Sequence, residues 1–99
     1  MKIVKLNQKF NIHKYQGFEI GIKFDLWGRE ARDFEQAVAD RFGKQAWLWK
    51  HNSKTKVKED WATTFGKRVK GETTPYWVYL RQESMLTLIL LSMDQKDAL

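Results

Sequence analysis

The sequence predicts a single α+β domain: an antiparallel sheet of about five strands in ββαβ(α)ββ order, with one helix over about 29–42 and a second over about 57–69. Three observations carry this. Ninety-nine residues with 42% apolar and 30% charged content suit one domain with its own core. Apolar residues alternate strictly at Phe18, Ile20, Ile22, Phe24 and Leu26, the period of a strand with one wet face. From Arg29 the period changes, and Ala31, Phe34, Val38 and Phe42 fall along one helical face.

In chain order, the even positions Val4, Leu6, Gln8, Phe10 and Ile12 are apolar except for Gln8 and alternate with Lys5, Asn7, Lys9 and Asn11, predicting a first strand. It should pair antiparallel with the strand over 18–26 through a turn near Gln16 and Gly17. Acidic residues early in the 29–42 segment, Arg41 in its last turn and Gly43 just beyond complete a helix signature. That helix is expected to cover the apolar side of the hairpin. "AWLWKH" alternates again and predicts a third strand. Val57, Trp61, Phe65 and Val69 recur every fourth residue and predict the second helix, although Gly66 and the paired threonines oppose it. "YWVYL" and "MLTLILLSM" then read as a closing hairpin. Residues 1–93 form the expected domain and 94–99 a loose tail.

The formal charge of +6 is concentrated. Lys44, Lys50, Lys54, Lys56, Lys58, Lys67, Arg68 and Lys70 face only Glu59 and Asp60 between 44 and 70, while the rest of the chain balances. Such clustering creates a local positive potential that attracts an anionic partner. In the 76–81 strand, Tyr76, Val78 and Leu80 share the face suited to the core, and Trp77, Tyr79 and Arg81 share the other. Beside Trp47 and Trp49, that second face resembles surfaces on which unpaired bases stack. The expected nucleic-acid-binding residues are therefore Lys50, Lys54, Lys56, Lys58, Lys67, Arg68, Lys70, Trp47, Trp49, Trp77, Tyr79 and Arg81. The bland counterpart is a solvated lysine connection above aromatics that are simply core.

The expected function is a small non-catalytic binding protein whose basic 44–70 segment engages nucleic acid, DNA or RNA, or a nucleoprotein complex. A rival is an inhibitor, adaptor or assembly protein that meets an acidic protein surface through its aromatic and leucine residues. A homodimer formed through the 85–93 strand or its neighbour is a variant of that rival. A small basic ribonuclease using His13 and His51 is a third possibility. Neither histidine has a partner at metal-ligand spacing, and Ser53, Ser84 and Ser92 lack a nucleophile motif, so no catalytic residue, metal or cofactor is expected. There is no cysteine, and the lysines among the first fifteen residues do not precede an apolar run, so a soluble cytoplasmic protein without a membrane partner is the expectation.

Overall fold

A computed structural model describes residues 1–6, 17–47, 58–68 and 70–97. The elements are β1 (Lys2–Lys5), β2 (Ile20–Phe24), α1 (Arg29–Phe42), β3 (Ala46–Trp47), β4 (Trp61–Phe65), β5 (Tyr76–Leu80) and α2 (Glu83–Asp97). They form one small α+β domain whose sheet has the order β1-β2-β5-β4-β3. The first four of these strands are antiparallel neighbours, and the two-residue β3 lies parallel to β4 at the edge. Both helices pack on one face of the sheet.

The core follows from the register. Ile22, Val78 and Thr63 lie side by side across three strands, as do Ile20, Leu80 and Trp61. With Phe24 and Tyr76 they meet Ala31, Phe34 and Val38 of α1 and Met85, Leu86 and Ile89 of α2. Helix α1 therefore covers the apolar side of β2, as its periodicity predicts. It ends at Gly43, whose positive φ of 82° is a conformation other side chains rarely adopt, with the Gly43 N–H donating to the Ala39 carbonyl at 2.9 Å.

Several expectations are corrected. The 57–69 segment is not a second helix, because residues 61–65 form β4. Residues four apart share a face in a strand as well as in a helix, so the Trp61–Phe65 spacing does not discriminate between them. Thr63 does: it points inward, fully buried, and its hydroxyl accepts a 2.7 Å hydrogen bond from Gln45. Val57 and Val69 lie outside the described residues.

The 85–93 segment is not a strand but part of α2, which leaves no closing hairpin and no 85–93 strand through which to dimerise. An apolar run on both faces reads equally as a buried strand or a buried helix. Tertiary contact resolves it: Met85, Leu86 and Ile89 turn inward, and the Glu19 carboxylate accepts the first-turn Glu83 N–H at 3.0 Å, supplying a cap from outside the helix. The helix continues through Asp97, into the stretch expected to be a tail.

The predicted third strand contributes Ala46 and Trp47, and its continuation lies outside the described residues. So does most of the expected first strand beyond β1, together with Gln16 of the hairpin turn. Phe18 also departs from the alternation. It joins Tyr79 on the face away from the helices, because the ladder is broken at Glu19, whose N–H is shared between the Leu80 and Arg81 carbonyls at 3.1 and 3.3 Å. No helix among the described residues is long and apolar enough to cross a membrane.

Candidate nucleic-acid interface

The sheet face away from the helices carries its own small cluster of Phe18, Ala46, Ala62 and Tyr79, with Leu6 and Trp77 packed against it. Its rows are set by strand pairing. Gly21, Tyr79, Ala62 and Ala46 lie side by side, and next to them run Lys2, Lys23, Trp77 and Thr64. Small residues beside Tyr79 leave room for rings to lie across the strands. The Trp77 indole stacks on Tyr79 with centroids 5.7 Å apart and planes 4° from parallel, and Phe18 stacks on Tyr79 at 6.0 Å.

Two glycines make room for the two ends of the Trp77 indole. A Cβ at Gly21 would sit 3.1 Å from the indole six-membered ring, and one at Gly66 would sit 3.1 Å from its nitrogen and 2.8 Å from the Pro75 ring. The Trp77 side chain thus spans the sheet from β2 to the end of β4 and remains partly exposed. Gly66 also donates its N–H to the Pro75 carbonyl at 2.8 Å, so Lys67 and Arg68 begin a loop anchored beside the indole.

The expected site residues separate into groups. Trp77 lies at the same end of the sheet as Lys67, Arg68 and Lys70, all exposed. Lys58 is exposed at the opposite end, with at least roughly 14 Å of extended β4 between it and Lys67. The two ends of the basic segment represented by Lys58 and Lys67 therefore do not converge. Arg81 is engaged within the fold: its guanidinium lies 4.5 Å from the Phe18 ring centroid and donates to the Glu59 carbonyl at 2.6 Å. Trp47 pairs with Thr63 in β3, and Lys50, Lys54, Lys56 and Trp49 lie outside the described residues.

Tyr79 is only 7% exposed, which makes it a support for Trp77 rather than an open stacking surface. Burial pushes its phenol up to about 12. A phenol that holds its proton more tightly in the folded state contributes stability that is complete below about pH 10 and is lost as pH rises through about 12, roughly 3 kcal/mol in all. The expected result is an alkaline loss of stability that Tyr79→Phe reduces, measured as urea midpoints between pH 9 and pH 12. Equal pH slopes for the two proteins would contradict it.

Sequence reasoning missed two cations. Lys2 and Lys23 stand directly opposite each other on β1 and β2, in the Trp77 row. Like charges so placed repel, and neither makes an ion pair among the described residues, nor do Lys67, Arg68 and Lys70. The alternation around β2 put Lys23 on the face opposite Ile22, but its neighbourhood with Trp77 depends on the β2–β5 register. Asp25 and Glu72 are the exposed carboxylates of the adjoining turn and loop, so the cations outnumber them.

An exposed aromatic pair lies at this end of the sheet on the helix side. Trp27 and Phe65, each 48% exposed, flank the buried Tyr76 ring with centroids at 6.1 and 5.0 Å. The Tyr76 hydroxyl donates to Glu35 at 2.5 Å and the Trp27 indole donates to the other oxygen of the same carboxylate at 2.9 Å. Burial, with the Glu35 carboxylate alongside, raises the Tyr76 pKa. With both oxygens engaged by aromatic donors, Glu35 joins α1 to the sheet and to the β2–α1 turn. No group of three or more His, Asp or Glu side chains suited to a metal ion occurs among the described residues.

Neither a family model, nor a curated protein, nor a solved structure matches this chain. The functional reading therefore rests on its own residues.

Proposed function

We propose that the protein is a non-catalytic nucleic-acid-binding module that contacts phosphates through the basic end of its sheet. The observation that carries this reading is the row Lys2, Lys23 and Trp77, continued by Lys67 and Arg68 beside Gly66: cations with no ion pair among the described residues, around a partly exposed indole. Exposed cations that meet a polyanion displace its counterions, giving affinity that falls steeply with salt and depends little on sequence. Lys50, Lys54 and Lys56 of the basic segment are included in the proposal as further phosphate contacts, on the strength of their charge, whereas Lys58, at the opposite end of the sheet, would be reached only by a longer polyanion.

Binding to labelled nucleic acid should weaken linearly in log–log form as salt rises. Replacing Lys23, Lys67 and Arg68 together by glutamine should flatten that slope by about 2 to 3 and leave the folded state intact, since all three side chains are at least partly exposed. No binding at low salt, or an unchanged slope in the triple variant, would remove the proposal.

A second reading, an adaptor or inhibitor docking on an acidic protein, is favoured by the half-exposed Trp27 and Phe65, residue types that anchor protein interfaces. It predicts that Trp27→Ala abolishes partner capture and leaves the salt slope for nucleic acid unchanged.

A further inference from the structure

We infer, resting on the nucleic-acid reading above, that the polymer held at this site is single-stranded and that one unpaired base stacks on Trp77. Strands about 4.8 Å apart place Lys23 one strand and Lys2 two strands from Trp77, so the two lysines stand in line on one side of it, their backbones roughly 5 and 10 Å from that of Trp77. A phosphate chain held by those lysines brings its bases over the ring. The indole is pre-positioned for this role: Gly21 and Gly66 let it lie close across the sheet and Tyr79 stacks on it, so little side-chain freedom remains to be lost on binding.

A duplex fits less well. Its base faces are covered by their neighbours, and its edges are read in grooves by a helix or a narrow ribbon. The Lys2–Lys23–Trp77–Thr64 row crosses four strands, about 14 Å, wider than the roughly 12 Å major groove. Neither described helix offers a basic face among its described side chains. The exposed side of α1 alternates Arg29, Arg32 and Arg41 with Glu30, Asp33 and Asp40, with Arg29 paired to Asp33 at 3.8 Å and Glu30 to the N-terminal ammonium at 3.0 Å. The described outward residues of α2 are Ser84, Thr87, Leu88, Leu91 and Ser92 beside Glu83. A partly exposed aromatic among cations, with no basic helix face among the described residues, matches the stacking platforms used on single strands.

The test compares three polyanions on the whole protein at one salt concentration: labelled oligothymidylate, the same strand paired with oligodeoxyadenylate, and base-free inorganic polyphosphate. Oligothymidylate should bind most tightly. Trp77→Leu should weaken it by about 5- to 150-fold with little change for polyphosphate, while Trp77→Phe retains most of the affinity. Polyphosphate or duplex binding as tightly as oligothymidylate, with the salt slope intact, would overturn the single-strand assignment and leave the phosphate reading standing. Binding of none of the three would overturn both. Should circular dichroism show Trp77→Leu unfolded, the wild-type comparison with polyphosphate and the Trp77→Phe variant decide the matter.

Discussion

Replacing Trp61 by alanine is expected to destabilise the protein by about 3–5 kcal/mol, a large share of the roughly 5–15 kcal/mol available to a domain of this size. Trp61 is 1% exposed in the cluster between the sheet and both helices. Its indole N–H donates to the Gly43 carbonyl at 2.9 Å, which fixes the chain leaving α1 just ahead of β3. Two losses therefore combine in the alanine variant: the buried ring, and the tie between β4 and the end of α1. Trp61→Phe separates them. It keeps most of the apolar contact and leaves the Gly43 carbonyl without its indole donor, at a cost of about 1–3 kcal/mol. Urea midpoints with unchanged m-values would measure both variants. An alanine substitution with an effect below about 1 kcal/mol would mean that Trp61 is not an inward strand residue.

The second large effect separates two readings of the C-terminal segment. Ile89→Ala should cost about 2–5 kcal/mol and Leu91→Ala under about 0.5 kcal/mol. In α2, Ile89 is fully buried beneath the helix and Leu91 is 55% exposed. In a strand the two residues share a face, and their substitutions would have similar costs. Equal destabilisation by the two alanines, read from thermal or urea unfolding, would return 85–93 to the strand predicted from its composition. The cost at Ile89 depends on how far Met85, Leu86 and the residues of α1 close around the vacated volume.

Strand β2, helix α1 and the separation of faces in β5 are legible from residue order because each has an unambiguous period. The alternation from Ile20 to Phe24 fits only a strand, the Ala31, Phe34 and Val38 spacing fits only a helix, and Gly43 marks the stop. Tyr76, Val78 and Leu80 enter the core beneath the helices as the sequence predicts, with Trp77 on the other face. Where the period is degenerate, residue order gives the wrong answer. Trp61 and Phe65 are four apart in either structure, and the leucine run at 86–91 has no polar face to orient it. Long-range partners settle both cases, through Gln45 bonding Thr63 and Glu19 capping α2.

The candidate site divides along the same line. Composition alone identifies a local excess of cations and a tryptophan on a strand face away from the core. Which cations stand beside that tryptophan is a property of register: Lys2 and Lys23 are neighbours of Trp77 because β1 pairs with β2 and β2 pairs with β5. The same pairing covers Tyr79 and commits Arg81 to Phe18 and the Glu59 carbonyl, while β4 carries Lys58 away from Lys67. Local periodicity records which way a side chain points relative to its own backbone. Which side chains meet depends on hydrogen-bonded contacts between residues distant along the chain, and these form only when the sheet assembles.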